Sequence, residues 1–249
     1  MDYFDAYRKL FTSTTNEDVC WWYCGVVFKQ VEGLGEVPMS QAETLMAFKT
    51  ETLSPDAIKI TWREIGYFRD LATGEIVSAW HNPFTGNTEV RSKSFVDGPA
   101  EYTVSRKAEG IKVELSQSHA RIKSVSLVTT VANGQISMVQ TEDKKRSYAR
   151  PDGSWPDVES PEASEIRTVL AIYGSAADVA DPAKTNVRAS GYYHSGSSIK
   201  DGPGAWGKSV VKGVMQKALA DEKLNPIAWQ RMKQIYPDFF KGDRASPNW

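Results

Sequence analysis

The sequence predicts a mainly β (α+β) fold: a single domain built on a curved antiparallel sheet or barrel-like meander, with an N-terminal helix and C-terminal helices packed against it. Three observations carry this expectation. From Ile58 onward, strand-like runs at 58–69, 75–81, 88–96, 100–105, 111–128 and 135–141 alternate with short turns bearing Gly, Pro, Asn or Asp, the texture of an antiparallel meander. Asn133-Gly134 is a preferred pair for a two-residue hairpin. Val19 to Val31 is apolar on both faces until Lys29, as in a central strand covered on both sides.

In chain order, Phe4, Tyr7, Leu10 and Phe11 stand at helical spacing behind Asp2, which can cap, so 1–18 reads as a short amphipathic helix and a linker. The β-rich body spans 19–194. Within it Ala42 to Thr50 suits a short strand or a helical turn, and Lys144 to Ser164, charged and rich in proline, reads as a long surface loop or flap. Thr168 to Tyr173 and Val187 to His194 read as two further strands. A helical segment is expected over 205–249. In it Trp206, Val210, Val214 and Ala218 recur at every fourth residue up to Lys223, and Asn225-Pro226 starts a second helix that Pro237 stops.

Composition narrows the function classes. Thirty Lys and Arg against 31 Asp and Glu leave no net field for nucleic acid or an anionic membrane, so neither is expected as a partner. The N-terminus MDYFDAYRKLF has the wrong charge for a signal peptide and no run approaches a membrane span, which gives a cytoplasmic expectation. Eight Trp, ten Tyr and nine Phe suit an aromatic-lined pocket as well as core packing. Cys20 and Cys24, the only cysteines, are too few for a thiolate zinc cage and read as small core residues. A homo-oligomer is compatible with the sequence.

The stretch from Glu64 to Val90 is the most distinctive. It runs Glu64-Ile-Gly-Tyr-Phe-Arg-Asp, then Thr73-Gly74-Glu75-Ile76, then Trp80-His81-Asn82-Pro83-Phe84-Thr85-Gly86. Both Thr-Gly pairs put Gly where a turn needs positive φ, and Asn82-Pro83 favours turn initiation, so register setting alone explains these residues. The same order resembles the hallmark of an uncharacterised family, domain of unknown function 1838, over about Val19 to Val104. That resemblance implies the fold and work on a small molecule, and it implies no reaction.

No phosphate loop, dinucleotide fingerprint, nucleophile elbow or HExxH pattern is present, and no cofactor is expected. The residues left for chemistry are acid–base groups. Tyr192-Tyr193-His194 joins two phenols and an imidazole. Alternation along 118–127 puts His119 with Arg121, a pair that is merely solvated on an outward face and becomes an acid and an anion-stabilising cation on an inward one. Glu64 shares a face with Trp62, where a buried carboxylate serves either as a structural ion pair or as a general base. These residues give catalytic candidates Tyr193, His194, His119, Arg121 and Glu64, and substrate-binding candidates Trp22, Tyr67, Trp80, His81 and Tyr192.

The leading expectation is a cofactor-independent lyase or isomerase acting on a hydrophobic, hydroxylated aromatic or terpenoid-like molecule, for example by loss of water or a small aldehyde. A non-catalytic lipocalin-like binding protein needs the same cavity without proton transfer. A metal enzyme is a third reading, and it requires at least two of His81, His119 and His194 within one coordination sphere.

Overall fold

The computed structural model describes residues 1–15, 17–81, 86, 88–90, 94–147, 154–200, 208–219 and 224–237; of 80, 89–90, 94–99 and 198–200 it describes the backbone alone. The elements are α1 (Tyr3–Phe11), β1 (Val19–Val31), β2 (Gly35–Ser54), β3 (Ala57–Arg69), β4 (Ala79–His81), β5 (Thr88–Val90), β6 (Ser94–Lys107), β7 (Gly110–Gln117), β8 (Ala120–Ala132), β9 (Gln135–Arg146), β10 (Ser164–Ser175), α2 (Ala176–Ala180), β11 (Ala189–Lys200), β12 (Lys208–Ala218) and α3 (Pro226–Ile235).

Ten strands form one antiparallel sheet in the order β7-β6-β3-β2-β1-β12-β11-β10-β9-β8. This order is chain order closed into a ring, with the small β4–β5 hairpin inserted between β3 and β6. The first and last strands pair from Cys20↔Ala218 to Gln30↔Lys208. Only β7 and β8, joined by a tight turn, lack a ladder between them among the described residues, so the sheet is a nearly closed barrel. Their turn has His119 at φ 57, while Asn133 at φ 51 and Gly134 at φ 74 make the expected two-residue hairpin between β8 and β9.

Helix α1 stoppers one end of this barrel. Its carboxylate cap Asp2 accepts from Phe4 N at 2.9 Å, and its apolar side is fully inside. Phe11 meets the rings of Trp21 on β1, Phe48 on β2 and Tyr102 on β6, with centroids 6.3, 5.0 and 5.9 Å away. From the other wall Tyr7 Oη donates to Gln140 Oε1 on β9 at 3.3 Å. The last carbonyls of α1 are met by a buried lysine of β12, Lys217, whose Nζ donates to Lys9 O at 2.7 Å and to Thr12 O. Lys9 Nζ in turn donates to Val179 O and Asp181 O at the end of α2.

Turns 55–56, 108–109 and 133–134 and the α2 segment lie on the α1 side, whereas β3, β9 and β11 end, and β6, β10 and β12 begin, at the opposite mouth. Outside the barrel, α3 covers Cys20, Leu45, Ala47, Ile65 and Tyr67 with Trp229 and Met232, its start capped by Asn225 Oδ1.

Several sequence expectations are corrected here. The segment 206–223 is not a helix over its described part but β12, because a spacing of four is also two strand periods. Val210, Val214 and Ala218 lie on the outer face while Val211, Met215 and Lys217 point inward. Three valines suit a strand, and the barrel needs that strand to close. The run 111–128 is two strands, not one. Ala42 to Thr50 is the middle of β2, and Lys144 to Arg146 continue β9 rather than opening a loop.

Candidate functional site

Alternation along the strands decides which side chains enter the barrel. On β3 the even residues Trp62, Glu64 and Phe68 face inward; on β1 it is Tyr23 and Val27, on β11 Tyr193 and Ser195, on β9 Glu142, Lys144 and Arg146. They enclose a cavity of about 350 Å³ whose floor at the α1 end is Phe11 and Phe48. The cavity is mainly apolar with a few convergent polar groups, which is the usual character of a small-molecule site.

Its middle holds Glu64 with two phenols and an indole. Tyr23 and Tyr193 meet edge to face at 5.6 Å, and the indole of Trp62 stacks on Phe48 at 6.4 Å. The Tyr23 ring lies against a bare patch of backbone made by Gly25 and Gly213, which pair across β1 and β12. Burial raises the Tyr23 and Tyr193 phenols well above the usual tyrosine range, and the Glu64 charge acts in the same direction on both. For Tyr193, hydrogen bonding with Ser195 and Thr168 works the other way without prevailing. Both phenols therefore stay protonated near neutrality and serve as donors. The Tyr23 hydroxyl and Trp62 Nε1 are buried with no hydrogen-bond partner among the described residues. Native structures leave few such groups, because each costs about 1–3 kcal/mol, and a bound acceptor relieves that cost.

Next to this centre lies a polar chain on β9. Glu142 Oε1 accepts from Gln140 Nε2 at 2.7 Å and from Tyr102 Oη at 3.2 Å, and Gln140 connects on to Tyr7 of the stopper. Lys144 Nζ donates to Gln117 Oε1 at 2.9 Å and stands 3.5 Å from Glu142 Oε2. Burial, with the Glu142 charge behind it, raises the phenols of Tyr7 and Tyr102 as well.

Of the residues singled out from the sequence, Glu64 and Tyr193 stand in the cavity wall. The others are elsewhere, for reasons of strand parity. Tyr192 and His194 alternate with Tyr193 and lie on the outer face of β11, Tyr192 being 40% exposed. Arg121 is exposed and ion-paired with Glu159 at 2.6 Å, so the outward alternative holds for that residue. His119 sits in the β7–β8 turn with its ring 3.7 Å from that of Trp155. Trp22 and Tyr67 do not floor the cavity. They pack on the outer face beneath α3, where Tyr67 Oη donates to Ile227 O at 3.4 Å. His81 is exposed at the end of β4, and the side chain of Trp80 and residues 82–85 lie outside the described residues. The three histidines thus occupy separate elements, and among the described residues no group of three or more His, Cys, Asp or Glu is placed to hold a metal ion.

Glu142, Lys144, Arg146, Tyr23 and Trp62 are the functional candidates that sequence reasoning passed over. A signal existed in β9. Ile136, Met138, Gln140, Glu142 and Lys144 alternate with exposed or half-buried neighbours, a single inward face that turns from apolar to polar.

The Asp70-x-x-Thr73-Gly74 stretch folds as a turn. Asp70 Oδ1 accepts from Ala72 N at 2.9 Å and Thr73 N at 2.8 Å, and Gly74 has φ 72. Arg69 clamps that turn to β2 through Gly74 O at 2.9 Å and Glu43 at 2.7 Å. Compared with protein-family models and with curated proteins, the chain matches none.

Proposed function

We propose that the barrel cavity binds a compact, largely apolar molecule bearing a carbonyl group and acts on it by proton transfer without a cofactor, as an isomerase or lyase. One observation carries this reading: two buried donors without partners among the described residues, Tyr23 Oη and Trp62 Nε1, belong to side chains that share a cavity wall with the carboxylate Glu64. A buried donor without an acceptor costs free energy, and a carbonyl oxygen bound in the cavity is such an acceptor.

The chemistry follows from the roles such groups can take. Glu64 removes a proton from the carbon next to the carbonyl, and the electron pair moves onto the oxygen, where Tyr23 and Trp62 hold the enolate. In a β,γ-unsaturated ketone the resulting dienolate takes that proton back at the γ-carbon as the double bond moves next to the carbonyl, which completes an isomerisation. In a lyase the enolate expels a β-hydroxyl as water, with the proton supplied by Tyr193 and restored to it from Glu64.

The test is hydrogen exchange in D₂O, followed by proton NMR, on aryl ketones and hydroxyketones that bind the protein. Wild type is expected to exchange the protons next to the carbonyl, and Glu64→Gln to slow exchange about a hundredfold or more with binding retained. Ligands that bind but never exchange would overturn the enzyme reading in favour of a non-catalytic binding protein with the same cavity.

A further inference from the structure

Resting on the reading of the cavity given above, we infer that the ligand also carries a carboxylate or comparable anion, and that Lys144 receives it. The ligand class is therefore an oxo-acid, its carbonyl at Tyr23 and Trp62 and its anionic end toward β9.

Lys144 is only 9% exposed, yet it lines the cavity. An ammonium has three N–H donors, and charge buried this far is costly unless it is met on all sides. Among the described residues, Lys144 Nζ has one acceptor at hydrogen-bond distance, Gln117 Oε1 at 2.9 Å. The carboxylate oxygen nearest to it, Glu142 Oε2, stands at 3.5 Å, an ion pair without a good hydrogen bond. Glu142 does not depend on that lysine, because its other oxygen is already supplied by Gln140 and Tyr102. Lys144 thus keeps donor capacity toward the cavity.

The surroundings favour an anion there. Arg146 follows on the same face of β9 and also lines the cavity, so two cations follow Glu142 on this face, while the other carboxylate of the lining, Glu64, stands on β3. Lys144 and Arg146 lie toward the mouth, where β9 ends, while Phe11 and Phe48 close the other end. An oxo-acid entering with its apolar end first leaves its carboxylate at these cations. The site discriminates against a neutral analogue because the analogue leaves the ammonium as poorly met as it is in the empty barrel.

The experiment measures the affinities of 4-oxo-4-phenylbutanoate and 5-oxo-5-phenylpentanoate, each beside its methyl ester, by calorimetry and by quenching of tryptophan fluorescence. For at least one pair the acid is expected to bind wild type about tenfold or more tighter than the ester. Lys144→Met should remove that preference and leave ester affinity unchanged. Glu142→Gln, which keeps the acceptor for Gln140 and Tyr102 but removes the competing charge, should strengthen acid binding. Opposite signs at two residues so close together separate a role in binding from a role in folding, since mere disruption weakens both. Equal affinity for acid and ester, or a loss of both in Lys144→Met while the variant stays folded by circular dichroism, overturns the anion inference and leaves the cavity reading standing. Failure of all four compounds to bind overturns both.

Discussion

Gly25 and Gly213 face each other across the β1–β12 ladder directly beneath the ring of Tyr23. A Cβ on Gly213 would lie 2.6 Å from Tyr23 Cε2, and one on Gly25 would overlap both the Tyr23 hydroxyl and the Lys212 carbonyl oxygen. Gly25→Ala should therefore cost about 1–3 kcal/mol by overpacking and push Tyr23 off the wall. Thermal melting checks the first effect and ligand affinity the second. An unchanged melt with unchanged affinity would mean that Tyr23 does not rest there.

Removing the Tyr23 hydroxyl should have the opposite effect on stability. It is a buried donor without a partner among the described residues, so Tyr23→Phe is expected to leave the empty protein equally stable or up to about 1 kcal/mol more stable. Affinity for a ketone should fall at the same time. A drop in stability would show that the hydroxyl is satisfied within the fold and is not held for a ligand.

Lys217 makes stability depend on pH. Burial pushes its ammonium down from 10.5 to about 7, although the charge of Glu17 acts upward. Between those two values the unfolded chain holds a proton that the folded chain lacks, so stability from this group rises with pH across the window, and the penalty is greatest at and below its lower edge. Lys217→Met deletes the effect together with two hydrogen bonds to α1. Urea melts of both proteins at about pH 7 and about pH 9.5 should show wild type gaining relative to the variant by up to about 1.4 kcal/mol per unit. A constant difference between the two proteins would contradict the shift.

Phe11 holds the stopper against three rings. Phe11→Ala should cost about 3–5 kcal/mol and lengthen the cavity toward α1. Denaturant melts check the loss, and tighter binding of longer apolar ligands relative to short ones checks the lengthening.

The architecture was legible in the sequence because hairpin turns and strand alternation are local. Asn133-Gly134 and the apolar run of β1 each state their structure within a few residues. The helix expected over 206–223 failed where two periods coincide at a spacing of four, and only the need of β1 for a partner on its second edge decides between them. Site residues were harder to read, because alternation says which residues share a face and not which face is inside. Trp62 and Glu64 were paired by that rule and both line the cavity, whereas Trp22 and Tyr67 share the outer cluster instead. The Glu142–Lys144 pair had a readable alternation, but a charged stretch before a proline-rich segment resembles a solvated loop when the barrel around it is unknown.

The pairing of β1 with β12 also sets an order of events during synthesis. An N-terminal strand made early must wait for a partner that begins at Lys208, and until then β1 and β11 both present bare edges to the cell. Contacts so distant in sequence form slowly, which makes the nascent chain prone to sticking while it waits. Chains arrested before β12 should accumulate in the insoluble fraction and be rescued by chaperones that shield strand edges. A cavity able to hold a ligand exists only once β12 has been made and has met β1.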